Sequence, residues 1–203
     1  VASAGLPLAC SADRLPTYAR DVDKAKELLA DAGVTDLTFD LIAPPYLSTF
    51  SPIAQVIQQN LAEAGIKVNV SSPEFGAYLQ SVYIDQPATF DGVVDFFAGY
   101  LDPSMVMQFL VPSRNPTTAG YIVEDPDLTA AVDAAATPGD DATRAAAITA
   151  ACEATADVAN VIPIATKNST VAVRTDRVSG TVAAFDAYDI YLRGIETFSL
   201  VNP

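Results

Sequence analysis

The chain contains no histidine and no tryptophan. Missing histidine removes the usual general base near neutral pH, the commonest zinc ligand and every Ser-His or Cys-His nucleophile pair. Positive charge is scarce: 11 Lys and Arg stand against 25 Asp and Glu, for a net charge of −14 over 203 residues. That balance lacks the basic face a phosphate backbone requires, so no nucleic-acid partner is expected. No apolar run reaches the ~20 residues of a membrane-spanning helix. Neither G-x-G-x-x-G nor a Walker A pattern occurs, which disfavours nucleotide binding. Cys10 and Cys152 lie too far apart for a C-x-x-C motif, which argues against metal or redox chemistry, and no cofactor is expected. The pair reads either as one long-range disulfide or as one buried and one loose thiol.

What remains describes a packed α/β body. Half the residues are hydrophobic, only 18% are charged, and mean hydropathy is +0.26. The chain starts at Val1 without an initiator Met or a signal peptide, as a processed protein or an excised piece would.

Residues 1–20 read as an irregular linker. Asp21 caps a helix to Ala32 whose Val22, Ala25, Leu28, Leu29 and Ala32 share a face, with Gly33 as its stop. Leu37–Ile42 is a strand ended by Pro44-Pro45. Ser51 and Pro52 begin a second helix, with Ile53, Val56, Ile57, Asn60, Leu61 and Ala64 facing inward and Gly65 closing it. Ile66–Val70 follows as a strand, and strand–helix–strand at this spacing predicts parallel neighbours. A helix over Phe75–Ile84 precedes a third strand, Phe90–Phe97, whose apolar run suits a central place. A short helix covers Ser104–Leu110. Asp125-Pro126 opens another helix, and Asp140 or Asp141 caps a long Ala-rich one reaching about Ala159, with Cys152 on its inner face. Val161–Ala165, Thr170–Val173, Val178–Ala183 and Ile190–Leu200 read as extended. The expected fold is a mixed, largely parallel sheet with helices on both faces.

Asp91, Asp95 and Asp102 sit along or just beyond the third strand, and paired carboxylates are what glycoside hydrolysis requires. Among so many acids such clusters also arise without chemistry. Asp102-Pro103 stands where open α/β sheets place ligands, just past a strand's carboxyl end. Phe96, Phe97 and Tyr100 lie beside it, and Tyr46 follows the neighbouring strand. Two roles stay open for Asp102: cap of the next helix, or one wall of an aromatic cleft for a small organic or cationic ligand.

The run Asp21-Val-Asp-Lys-Ala-Lys-Glu-Leu-Leu-Ala-Asp-Ala-Gly33 resembles the D-x-x-K-A-x-x-L-L-x-x-A-G helix of the dipeptide/oligopeptide class of bacterial solute-binding proteins, family 5, the receptors of ABC importers. Ile53–Ile66 is similar to that family's next helix, which also leads into a strand. Phe97 through Asp102-Pro103, Asp125-Pro126, Arg144, Ile162-Pro-Ile164 and Val178-Ser-Gly180 follow in the family's order, so the resemblance spans about residues 18–183. It implies one lobe of a type II periplasmic-binding-protein-like fold. Residues 1–20 would be a linker from a missing first lobe, 21–185 the second lobe, and 186–203 a tail returning to the first. Without that lobe, the tail is expected to be poorly packed, rearranged or covered by a second copy.

The same resemblance implies a non-enzymatic receptor. It would capture a peptide or other small solute outside the cell and deliver it to a membrane permease, anchored by a lipid on its amino-terminal part. The implied ligand-binding residues are Tyr46, Phe97, Gly99, Tyr100 and Asp102. Peptide-binding members carry an Asp where this chain has Gly99, three positions before Asp102. A buried ammonium without its partner costs several kcal/mol. Either Asp102 or Asp95 replaces it, or the solute is not an ordinary peptide. A carboxylate hydrolase using Asp95 and Asp102, and a protein-interaction module without a small ligand, are the alternatives.

Overall fold

The computed structural model describes residues 10, 15–16, 18–96, 102–118, 120–137, 139–165, 174–179 and 199–201. Helix α1 spans Val22–Asp31, with the Asp21 side chain accepting from the Lys24 amide. Its apolar stripe is only half-covered: Val22, Ala25 and Leu29 are intermediate, while Leu28 is 56% exposed.

Three parallel strands form the sheet. Strand β1 (Thr38–Ile42) pairs with β2 (Lys67–Ser71) along its length, Thr38 opposite Lys67 and Ile42 opposite Ser71. On its other edge Leu41 and Ile42 face Gly92 and Val93 of β3. The order is therefore β2-β1-β3, and β1 takes the central place expected for the third strand. Strand β3 is also shorter than the apolar run 90–97 suggests, although Asp91 and Val94 amides still bond to Asp40 and Ile42 carbonyls. Beyond Val94 the chain leaves the ladder as Asp95 turns to tyrosine hydroxyls. Glycine at 92 lets the Phe39 ring approach closely: a Cβ there would lie 2.7 Å from Phe39 Cζ and push that ring aside.

The sheet is covered on both faces, as the strand alternation dictates. Leu41 and Val68 pack with Phe50 and Ala54 of helix α2 (Phe50–Glu63). Ile42 points the other way, onto Tyr78 and Val82 of helix α3 (Phe75–Tyr83). Helix α2 begins at Phe50 rather than after Ser51, with no side-chain cap. Pro52 is tolerated as its third residue because first-turn amides need no intrahelical partner. The earlier start turns Phe50 and Ala54 inward and leaves Val56 and Asn60 exposed, which corrects the expected stripe. Gly65, at φ +87°, turns the chain into β2.

A second core is helical. Helix α4 (Pro103–Met107), a 3₁₀ turn at Gln108–Leu110, α5 (Pro126–Ala136) and α6 (Asp141–Val158) bury Met107, Leu110, Leu128, Val132, Ile148 and Cys152 together. Asp125 and Asp140 cap α5 and α6 as expected, accepting from the Leu128 and Thr143 amides. Tyr121 packs against both cores. Cys10 and Cys152 form a disulfide, which decides between the two readings of the cysteines.

Val161–Ala165 is not a strand: Pro163 offers no amide donor and Ile162 stands 76% exposed. Residues 170–173 lie outside the described residues, as does most of the tail. Of the expected strands 178–183 and 190–200, the described parts are β4 (Val178–Ser179) and β5 (Ser199–Leu200), paired antiparallel.

The disulfide closes a separation of 142 residues and ties the amino-terminal segment to α6. Replacing Cys152 by Ser is expected to lower stability by about 2–5 kcal/mol. A thermal melt checks this: reductant should lower the wild-type Tm and leave the variant's unchanged.

Candidate ligand site

Parallel strands deliver their carboxyl ends to one edge of a sheet, and whatever follows them meets there. After β1 comes Tyr46; after β3 comes Asp95; α3 lies across that edge with Tyr78 and Tyr83. The Asp95 carboxylate gathers all three rings. Tyr46 donates to Oδ1 and Tyr83 to Oδ2, both in short hydrogen bonds. Tyr78 donates to Oδ2 at 2.7 Å, and the Phe96 amide donates to Oδ1 at 2.8 Å. Tyr78 Oη also lies 3.0 Å from Tyr83 Oη and 3.5 Å from Tyr46 Oη.

Around this knot the rings pack edge-on or tilted. Tyr46 has centroid separations of 5.2 Å to Phe50, 5.6 Å to Phe75 and 6.1 Å to Phe96. Tyr78 and Tyr83 meet edge to face at 5.7 Å. They enclose one side of a cavity of about 460 Å³ whose wall includes Tyr46, Phe75, Tyr78, Leu79, Tyr83, Asp95, Phe96, Phe109, Thr118 and Tyr121. Tyr78 is buried, whereas Phe75 and Phe96 remain about half exposed. An aromatic wall with a few convergent polar groups is the usual build of a small-molecule site.

Burial raises the pKa of Tyr46, Tyr78 and Tyr83, and hydrogen bonding to Asp95 adds to it. Tyr121 is pushed up to about 12, by burial first and then by the Asp95 charge. The hydroxyls therefore keep their protons and spend them on the carboxylate.

Asp102 has a different place. It is the N-cap of α4, accepting from the Ser104 amide at 3.0 Å and the Ser104 hydroxyl at 2.8 Å, and it pairs with Arg144 of α6. Burial pushes its pKa up, but the bonds from Ser104 and Arg144 outweigh this and hold it below the ordinary carboxylate value. The capping role left open by the sequence is formed. Asp102 is not on the wall of the aromatic cavity; Tyr46 is. Phe97, Gly99 and Tyr100 lie outside the described residues. Tyr78, Tyr83 and Phe75 were not among the expected site residues. The signal for them is the spacing of Phe75, Tyr78, Leu79 and Tyr83 along one helix, three aromatics within nine residues.

Residues 5–118 match the family described as bacterial extracellular solute-binding proteins, family 5 Middle. The chain belongs to that family. Among solved structures, this family 5 chain is similar to HbpA2 from Haemophilus parasuis, at 22% identity and a TM-score of 0.69 over 92% of this chain and 37% of that one. The periplasmic binding protein DppA from Helicobacter pylori, solved with the peptide STSA, is 27% identical with a TM-score of 0.59, over 71% of this chain and 28% of its own. MelB from Agrobacterium fabrum, solved with stachyose, is 16% identical with a TM-score of 0.66, over 78% and 28%. The chain thus spans roughly a third of the length of these solved structures. A search of curated proteins finds no match. These family 5 likenesses bear out the type II binding-protein lobe and a solute-binding class.

Two titrations follow from the site. Asp102 carries a lowered pKa, so its contribution is present above roughly pH 4 and is lost as pH falls through the folded value. An Arg144→Ala variant should be less stable at neutral pH, with its stability curve converging on the wild type's in acid; parallel curves in chemical denaturation at several pH values would count against this. The tyrosines carry raised pKa values, so their contribution holds below roughly pH 10 and is lost above it. Near-ultraviolet tyrosinate absorbance should therefore show a group that ionises only as the protein unfolds in alkali.

Proposed function

We propose that this chain is part of the substrate-binding component of an ABC importer, and that the aromatic cavity around Asp95 holds one end of the captured solute. The observation that carries this reading is the cavity itself, about 460 Å³, walled by aromatics and set at the carboxyl edge of a parallel sheet. Membership in a solute-binding family supports it. Capture would work by hinge closure: the solute bridges this lobe and a partner lobe, and the closed form docks on the permease. The protein would act outside the cell, held to the membrane by a lipid on its amino-terminal part.

Tyr46 contacts the solute in this reading, with Phe97, Gly99 and Tyr100 as the further contacts expected from the sequence. Asp102 acts one step back. Bonded to Ser104 and Arg144, it fixes the start of α4 against α6. A hydrolase would need one carboxyl poised as an acid beside a free carboxylate. Asp95 instead spends its oxygens on four donors, and Asp102 is held ionised in an ion pair.

A thermal-shift screen of the intact protein against peptides, oligosaccharides and small organic cations tests capture. A solute at a hundred times its Kd should stabilise by about 2.7 kcal/mol. Phe75→Ala, at a half-exposed ring on the wall, should weaken binding about tenfold while leaving the unliganded Tm within a degree or two. Absence of any shift across the screen would overturn capture.

A further inference from the structure

The chemistry of the cavity wall narrows what it can hold. The Asp95 carboxylate brings a formal negative charge, and among the described residues no Lys or Arg pairs with it. Its partners are neutral donors: the hydroxyls of Tyr46, Tyr78 and Tyr83 and the Phe96 amide. A carboxylate has about four lone-pair sites, so these four bonds fill it. Tyr46, Tyr78 and Tyr83 each have one proton, already committed to Asp95, and can offer a ligand only oxygen lone pairs or a ring. The hydroxyl of Thr118, another residue on the wall, is likewise committed, donating to the Asn115 carbonyl at 3.0 Å.

The described wall is thus rich in ring surface and carries one negative charge, and all of its tyrosine and threonine hydroxyl donors but that of Tyr121 are already used. Such a wall repels carboxylates and phosphates, which would need donors to replace their hydration. It suits a cation, attracted by the fixed charge and by ring quadrupoles. Because the carboxylate is filled, a ligand N–H gains no direct bond to it. Methyl groups on the nitrogen lose nothing by that and bury well against rings. The −14 charge of the chain favours the approach of cations as well.

We propose that this cavity binds the cationic end of its solute, an organic ammonium carrying methyl groups on nitrogen, with Asp95 acting as a charge set behind the tyrosine hydroxyls. The assignment rests on the capture reading above and gives its ligand class.

Calorimetric titration of the intact protein tests it with three probes, the first two matched in size. They are choline, its uncharged isostere with a tert-butyl group in place of trimethylammonium, and ethanolamine. Choline should bind at least about tenfold more tightly than either. Asp95→Asn should abolish the preference for choline over the isostere, and Phe75→Ala should weaken choline. Because Asp95 ties three rings together, the variant is first checked by near-ultraviolet circular dichroism; the probe comparison on the unaltered protein decides the matter even if it misfolds. Equal binding of the isostere overturns the cation, and tighter binding of ethanolamine overturns the methylated nitrogen. If neutral peptides or oligosaccharides bind in a Phe75-dependent way while choline does not, the cation fails and capture stands. If nothing binds, both fail.

Discussion

The arrangement on which the site depends is one carboxylate shared by three tyrosines. Asp95 follows β3, Tyr46 follows β1, and Tyr78 and Tyr83 belong to α3, so the shared oxygens tie both strand ends to the helix lying across them. An ionised carboxylate taken from water needs hydrogen bonds to offset its lost hydration. Here neutral hydroxyls supply them, which leaves the charge in place. A lysine or arginine in the same position would have neutralised it and made a structural ion pair.

Asp102 shows that contrast within the same short stretch. Seven residues after Asp95, it meets a guanidinium and a helix amino end, and both stabilise its ionised form. Its link to Arg144 joins α4 to α6, the helix that also carries Cys152 and the disulfide. The helical core is therefore held by two cross-links of different chemistry on one helix. The sheet core is held by alternation across β1 instead, with Leu41 on one face and Ile42 on the other. Tyr121 touches both cores and also walls the cavity, so the site lies at their junction.

Much of the fold was legible where the deciding chemistry is local. Asp21, Asp125 and Asp140 each sit three residues before the amide they cap, a relation visible in any linear reading. The parallel pairing of β1 with β2 followed from the length of the connection. The start of α2 was misread because Ser51-Pro52 forms a good local signal, yet the ring of Phe50 gains more by turning inward. The third strand was overextended for a similar reason: Val94, Phe96 and Phe97 are apolar, but Asp95 leaves the ladder for tyrosines on other elements.

By itself the amino-acid sequence determined the α/β class, the cap of α1 and the openings of α5 and α6, the exclusion of histidine-based chemistry and the likeness to family 5. Each of these depends on residue types and on spacings of a few positions. Only the tertiary structure decided which acid serves the site. Asp95 and Asp102 are alike in sequence, both along or just past the third strand and both near aromatics. What separates them is a distant partner: Arg144, 42 residues on, meets Asp102, whereas α3 brings tyrosines to Asp95. Long-range contacts set which donors a carboxylate meets, and no local spacing encodes them.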